Sequence, residues 1–232
     1  MVKKKIAKKK SNKDAAAKKP RLTAKDKARS ADAAKQNKAA RAAAVVTQSA
    51  QVLSSELVFD GPLFRVFRDE VIEPAGVRVS RDIVRHNGSV VILAVDSSKS
   101  KRDPWVVMER QYRHAAGQYL WEVPAGKIDL GEEPLVAAQR ELAEETGYRA
   151  RKWKPLATYY ASPGFVGEAM MLYLAEDLYA GEAHPEEDEK IELRLIKLSE
   201  IRKMIAKGAI HDGKTLIAAL LYGSLLGRKR KK

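Results

Sequence analysis

The sequence contains no cysteine among its 232 residues. Disulfide bonds and thiolate-ligated metal sites are therefore excluded. A chain without cysteine fits a reducing compartment, and we expect a cytoplasmic location. Long apolar runs are also missing, because no uninterrupted stretch approaches the ~20 residues that cross a bilayer. The lysine-rich start has no apolar segment behind it. We therefore expect neither a secretory signal nor a membrane partner.

Aromatic residues are scarce, and the first 44 residues contain none. That segment holds 16 Lys and Arg against 3 Asp and Glu, a net charge of +13. Residues 228–232 are all basic, whereas residues 45–227 carry 23 basic and 27 acidic side chains. The first segment cannot bury enough apolar surface to fold alone. We therefore predict a disordered tail at 1–50 and a short basic tail at 228–232.

The basic character of the chain, +14 overall, thus belongs to the two tails. One interpretation is nonspecific contact with nucleic acid or the ribosome, because clustered Lys and Arg neutralise phosphate backbones without reading sequence. The other is a solvated extension that aids solubility. Composition alone does not decide between them.

From residue 52 onward, short apolar runs alternate with turn signals. Strands are predicted at 52–59, 64–71, 77–85, 90–95, 105–109, 156–160, 169–175 and 191–198. Helices are predicted between Pro134 and Gly147, at 199–207 and at 212–226. Strands interleaved with helices predict an α/β layered fold.

The segment from Gly126 to Tyr148 carries most of the chemical information. It reads GKIDLGE at 126–132 and RELAEETGY at 140–148, with seven residues between the two runs. Pro134 fits the first position of a helix, and Gly147 fits the left-handed residue that ends one. The segment therefore predicts a turn followed by a single helix.

Three glutamates of this helix, Glu141, Glu144 and Glu145, are spaced i, i+3 and i+4 and share one helix face. Their mutual repulsion would be relieved by a divalent cation, and Mg2+ prefers carboxylate oxygens. Arg140 is an adjacent cation suited to orienting a carboxylate through two hydrogen bonds. For a pair of glutamates alone, a solvated acidic face is the simpler interpretation. The full spacing pattern favours a metal site.

Every fixed position of the 126–148 segment matches the signature of the Nudix hydrolases, and the chain resembles that family from about residue 53 to 226. The resemblance implies a Nudix α/β/α sandwich over 51–227. It also implies that residues 51–86 form an accessory antiparallel sheet. The implied activity is metal-dependent hydrolysis of a nucleoside diphosphate linked to another group.

Sequence on either side of the segment narrows the resemblance. The runs RQYR at 110–113, WEVPAG at 121–126 and SPGF at 162–165 are similar to those of the ADP-ribose pyrophosphatase branch. That branch hydrolyses ADP-ribose to AMP and ribose 5-phosphate. It uses Mg2+, or Mn2+ as an alternative, and forms homodimers whose accessory sheets are exchanged or packed between subunits. Nucleotide-sugar hydrolases share much of these runs, so the group linked to the nucleoside diphosphate stays open.

The resemblance also implies which residues hold the metal and activate water. The metal ligands it assigns are the carbonyl of Ala125 and the carboxylates of Glu141, Glu145 and Glu189. Glu144 is assigned as a partial ligand with a catalytic role. Glu187, in the acidic stretch before Ile191, is assigned as the catalytic base. A shift of register by two residues would give that role to Glu189.

The remaining assignments concern the substrate and the support of the site. The residues assigned to the substrate are Arg113, which would meet its phosphates, Arg110 and Pro163. The residues assigned to support are Gly126, Arg140 and Glu132. For Glu132, metal ligation and helix capping are alternatives.

A second functional class also remains open. The protein would then be a nucleic-acid-associated Nudix protein that acts on RNA ends or senses nucleotides, with the basic tails dominating its behaviour. The complete signature argues against a sensor without activity. The slight acidic excess of residues 45–227 argues against a long polyanion as substrate.

Overall fold

The computed structural model of the chain describes residues 49–61, 64–182 and 190–228. The described residues from 50 onward form one compact unit, in which every helix and strand below lies. Nearly all of the predicted tails 1–50 and 228–232 lies outside the described residues. Their disorder therefore stays a prediction.

The first three strands form a separate antiparallel sheet in the order β1-β2-β3. These are β1 (Gln51–Asp60), β2 (Arg65–Ile72) and β3 (Arg78–Arg85). Ion pairs join the last two, including Arg68 to Asp82 at 2.8 Å. Every residue of β1 is exposed. The accessory sheet predicted for this part of the chain is confirmed.

Two backbone hydrogen bonds connect this accessory sheet to the rest of the protein. Val84 of β3 donates its N–H to the carbonyl of Phe165 at 2.7 Å. Its own carbonyl accepts the N–H of Gly167 at 3.0 Å. The accessory sheet therefore meets the loop that carries the predicted substrate residue Pro163.

The larger sheet has seven strands in the order β10-β5-β4-β9-β8, with β6 paired to β5 and β7 paired to β4. The strands are β4 (Ser89–Asp96), β5 (Trp105–Arg113), β6 (Gln118–Glu122), β7 (Ala125–Lys127), β8 (Tyr148–Tyr160), β9 (Ala169–Ala180) and β10 (Glu192–Lys197). Only β4 and β9 run parallel among these pairs. The central strand β4 is a continuous apolar run that is buried almost throughout, as expected for a strand covered on both faces.

Three helices cover the two faces of the larger sheet. They are α1 (Pro134–Thr146), α2 (Leu198–Ala206) and α3 (Gly213–Arg228). Alternate residues of β4 enter two different core clusters. One cluster contains Leu93 together with Ile201 of α2 and Ala218 of α3. The other contains Ile92 and Leu142 of α1. This arrangement is the predicted α/β/α sandwich.

The ends of α1 agree with the signals in the sequence. Pro134 occupies the first turn, and Gly147 follows the helix with φ 69°, a left-handed conformation. The short strands β6 and β7 were not predicted, and β8 starts at Tyr148 rather than at residue 156. No described helix is long and apolar enough to cross a membrane.

Candidate active site

Helix α1 places Glu141 and Glu145 against strand β7. A Cβ atom added at Gly126 would lie 1.9 Å from Cδ of Glu141, so only glycine leaves room for that carboxylate. Next to it, the Ala125 N–H donates a hydrogen bond of 3.1 Å to Glu145 Oε2. Glu145 is buried, whereas the side chain of Glu144 is 45% exposed. The helix and the Ala125–Gly126 segment that were predicted to build the site therefore meet.

Arg140 connects these carboxylates to the turn before the helix. Its Nη1 donates to Glu141 Oε1 at 2.8 Å and to Glu144 Oε2 at 3.1 Å. Because one nitrogen serves both, the two carboxylates are neighbours. Hydrogen bonds to Glu132, together with the neighbouring Glu141 and Glu144, hold the pKa of Arg140 above its ordinary value. Arg140 therefore stays charged and fixes the glutamates.

Glu132 makes the contacts expected of a supporting residue. Its carboxylate accepts Arg140 Nε at 3.0 Å and Nη2 at 2.9 Å, and it also accepts the N–H of Asp129 at 3.0 Å. Arg140 Nη2 reaches the carbonyl of Lys127 at 3.0 Å. These bonds join the turn, β7 and α1 into one unit.

A cavity of about 830 Å³ lies beside the three glutamates, and we call it the main cavity. One side is acidic and contains Glu141, Glu144 and Glu145. Four cationic side chains also line it: Arg113, Lys127, Arg140 and Lys214. A cavity with carboxylates and cations together suits a ligand that is anionic and also binds metal.

Two of these cations, Arg113 and Lys214, share Glu122, which sequence reasoning missed. Arg113 donates Nε and Nη2 to its two oxygens, both at 2.9 Å, and Lys214 Nζ also contacts Glu122 Oε2. Only 2% of Glu122 is exposed. Burial raises the pKa of Glu122, but the bonds from Arg113 and Lys214 outweigh burial and lower it below its ordinary value. Glu122 is thus a buried anion that holds Arg113 at the cavity.

The start of α3 is fixed to the same region by Asp212, another residue that was not predicted. Asp212 Oδ2 accepts the N–H of Thr215 at 2.9 Å and its hydroxyl at 2.6 Å, which caps the helix. The Thr215 hydroxyl accepts the N–H of Val123 at 2.9 Å. Asp212 Oδ1 accepts Lys214 Nζ at 3.0 Å. The cap therefore places Lys214 beside the strand that carries Glu122.

Several predicted residues lie away from the main cavity or outside the residues that the structure describes. Arg110 contacts Glu192 at 3.4 Å and stacks over the ring of Tyr119. Pro163 lines a second cavity of about 590 Å³, which shares Tyr160 with the main one. Glu187 and Glu189 belong to the residues that the structure does not describe. The roles assigned to these four residues stay predictions.

Comparison with known proteins identifies the family. The NUDIX domain model matches residues 85–218. The chain belongs to the Nudix family. Its Nudix relatives include an ADP-ribose pyrophosphatase of Bacillus subtilis (strain 168), 36% identical over 72% of this chain and 89% of that protein. A methanol dehydrogenase activator of Bacillus methanolicus is 37% identical over 72% of this chain and 89% of its own.

A solved structure supports the same Nudix fold. A crystal structure of an ADP compounds hydrolase matches with a TM-score of 0.68 over 78% of this chain and 96% of that one. At 23% sequence identity, that match concerns the fold alone.

Nudix hydrolases generally depend on a divalent metal, and the donor set of this chain fits one. The side chains of Glu141, Glu144 and Glu145 provide hard oxygen ligands on one wall of the cavity. Among the described residues, no three acidic or histidine side chains already converge into a cation cage. In this structure Arg140 and the Ala125 N–H donate hydrogen bonds to oxygens of these glutamates.

Proposed function

We propose that this protein hydrolyses the diphosphate of ADP-ribose to AMP and ribose 5-phosphate. The observation that carries the proposal is the main cavity, where the glutamates of the Nudix helix line one space together with Arg113 and Lys214. The B. subtilis relative is named an ADP-ribose pyrophosphatase, and the chain covers 89% of it. Both facts support a diphosphate substrate of this kind.

Different residues of the site bind the metal and the phosphates. Glu141, Glu145 and the carbonyl of Ala125 would hold a divalent cation, with Glu144 as a partial ligand. When bound, Mg2+, or Mn2+ in its place, would neutralise phosphate oxygens and lower the pKa of an attacking water. Arg113 orients the diphosphate through the guanidinium N–H groups that do not bind Glu122. Arg140 and Glu132 keep the carboxylates in place, and Arg110 and Pro163 contact the rest of the substrate.

The identity of the leaving sugar phosphate needs a direct experiment. Initial rates with Mg2+ are measured for ADP-ribose, GDP-mannose, UDP-glucose, NADH, diadenosine polyphosphates and capped RNA at matched concentrations. We expect ADP-ribose to be among the best substrates and AMP to be released from it. Much faster turnover of GDP-mannose would assign a different nucleotide sugar. Preference for capped RNA would instead support the nucleic-acid-associated function.

The catalytic base is proposed to be Glu187, with Glu189 as a further metal ligand. A base acts on the attacking water rather than on the bound diphosphate. Glu187→Gln is therefore expected to lower kcat while changing KM by less than about threefold. Steady-state kinetics of Glu187→Gln and Glu189→Gln, side by side, measure this. A silent Glu187→Gln with an impaired Glu189→Gln would shift the register by two residues.

The accessory sheet supports a homodimer. Strand β1 exposes large apolar side chains, including Leu57 at 46% and Phe59 at 49%, which a partner subunit would cover. Light scattering after gel filtration is expected to give twice the mass of 25.8 kDa. A monomer at micromolar concentration would contradict the dimer.

The basic tails are proposed to hold the enzyme on nucleic acid or the ribosome in the cytoplasm. Binding of the full chain to RNA is expected to weaken steeply with added salt, because counterion release drives such contacts. Deletion of residues 1–44 is expected to abolish most of this binding. A truncated chain that binds RNA as tightly as the full chain would contradict the proposal.

A further inference from the structure

The hydroxyl of Tyr159 is a buried polar group that lacks a hydrogen-bond partner in the part of the chain that the structure describes. Tyr159 packs against the core cluster on the α2 and α3 side of the sheet, and it lines the main cavity. Buried polar atoms nearly always have a partner. An orphan hydroxyl at a cavity wall therefore points to a ligand.

Two carboxylates that line the main cavity with Tyr159, those of Asp212 and Glu168, already accept other donors. Asp212 Oδ1 accepts Lys214 Nζ, and Asp212 Oδ2 accepts the N–H and hydroxyl of Thr215. Glu168 Oε1 accepts the hydroxyl of Ser89 at 2.6 Å. Burial, and then the charges of Asp212 and Glu168, raises the pKa of Tyr159. The hydroxyl therefore stays protonated at neutral pH and can donate a hydrogen bond to an incoming acceptor.

Lys214 supplies a positive charge at the same cavity. Its side chain is only 12% exposed, and its ammonium contacts Glu122 and Asp212. An ammonium has three N–H donors, so these two contacts leave capacity for one more acceptor. Tyr159 and Lys214 line the same cavity, together with Asp212, so a neutral donor and a cation both face its space.

We propose that Tyr159 and Lys214 bind a phosphate of the substrate, as contact residues additional to Arg113. A phosphate oxygen is an acceptor without a proton, which suits a hydroxyl donor beside an ammonium. The inference rests on the proposed diphosphate substrate and adds two residues outside the Nudix signature. The buried Glu122 would then position two phosphate-binding residues, because it contacts Lys214 as well as Arg113.

Tyr159→Phe separates ligand binding from a structural role, because it removes only the orphan oxygen. The melting temperature is expected to stay equal or to rise, since no internal hydrogen bond is lost. The KM for ADP-ribose is expected to rise about 10-fold or more, the loss typical of a hydrogen bond to a charged group, with a smaller change in kcat. Tyr222→Phe is the matched control, a buried tyrosine of the same core cluster that does not line the cavity.

Lys214 is tested with Lys214→Met, which keeps most of the length of the side chain and removes its charge. Its KM is expected to rise at least about 10-fold, and Lys214→Arg is expected to recover most of the loss because it keeps the charge. Lys203→Met is the control, an exposed lysine of α2 paired with Glu200. Calorimetry of ADP binding with Mg2+ measures the same contacts without turnover.

The outcomes distinguish this inference from the proposed function. Weaker ADP binding in Tyr159→Phe and Lys214→Met, with stability retained, supports the phosphate contacts whichever nucleotide sugar proves to be the substrate. Wild-type turnover of ADP-ribose together with unchanged KM and ADP affinity in both variants would overturn the contacts and leave the function standing. A lower melting temperature of Tyr159→Phe would overturn the role of its hydroxyl in binding. A wild-type protein that neither hydrolyses ADP-ribose nor binds ADP would overturn both.

Discussion

Replacing Glu145 by glutamine is expected to lower the turnover of ADP-ribose by at least ~10²-fold, equivalent to about 2.7 kcal/mol of transition-state stabilisation. The amide keeps an oxygen that can accept the Ala125 N–H, now 3.1 Å from the carboxylate. The fold is therefore expected to survive. What disappears is one negative charge in a buried position. Measuring kcat/KM and the melting temperature on the same preparation tests both the loss of activity and the survival of the fold.

The control for this change is Glu200→Gln, which removes a carboxylate from the exposed surface of α2, where it pairs with Lys203. Its activity is expected to stay within about twofold of wild type, since surface ion pairs contribute little. Glu141→Gln should behave like Glu145→Gln. Near-normal activity of a folded Glu145→Gln protein would remove Glu145 from the metal site.

Alanine at position 126 is the second change with a large expected effect. The added Cβ would lie 1.9 Å from Cδ and 2.0 Å from Oε1 of Glu141. Because these atoms end a flexible side chain, the carboxylate moves aside and the strand keeps its place. A displacement of about 1 Å in a catalytic group is enough to reduce the rate by ~10²-fold. We therefore expect a loss of that size in kcat with little change in the free energy of unfolding.

Gly223→Ala is the matched control for Gly126→Ala. Gly223 lies inside α3, where the nearest atom to an added Cβ is Cδ of Arg202 at 3.7 Å, an ordinary contact. This substitution is expected to leave activity unchanged and to stabilise the helix by about 0.5–1 kcal/mol. Kinetics and chemical denaturation of both variants give the comparison. A Gly126→Ala protein with full activity would show that Glu141 is not a ligand in its observed position.

The local features of the site were readable from the sequence because neighbouring residues encode them. The helix limits at Pro134 and Gly147 follow from proline and glycine chemistry. The shared face of the three glutamates follows from helical periodicity alone. The continuous burial of β4 and the antiparallel accessory sheet likewise follow from short apolar runs with turn signals between them.

The wall that carries Lys214 was not predictable because its contacts are distant in sequence. Glu122 and Lys214 are 92 residues apart, as are Val123 and Thr215, whose hydrogen bond fixes the start of α3. No spacing rule connects positions on different elements. Glu122 was visible inside the run WEVPAG, but a glutamate beside a tryptophan gives no sign that two cations will share it. In the sequence, Tyr159 looks like an ordinary strand residue. Only the structure shows that its hydroxyl is buried with no partner among the described residues.

Strands β6 and β7 were missed for a related reason. With five and three residues, they are too short to display a period, and β7 contains the glycine that its contact with Glu141 requires. These residues are strands because they pair with β5 and β4 through hydrogen bonds. The proposed base Glu187 and the proposed further metal ligand Glu189 are outside the described residues, so these assignments rest on the sequence alone.

The central claim is that glutamates of the Nudix helix support metal-dependent cleavage of ADP-ribose. Its most direct test is the initial rate of AMP and ribose 5-phosphate release from protein treated with a chelator, followed as Mg2+ is added back. The account predicts no turnover without the metal, recovery on titration, and a rate at least ~10²-fold lower for Glu145→Gln at every Mg2+ concentration. Equal rates with and without chelator, or no release of AMP from ADP-ribose at saturating Mg2+, would contradict it.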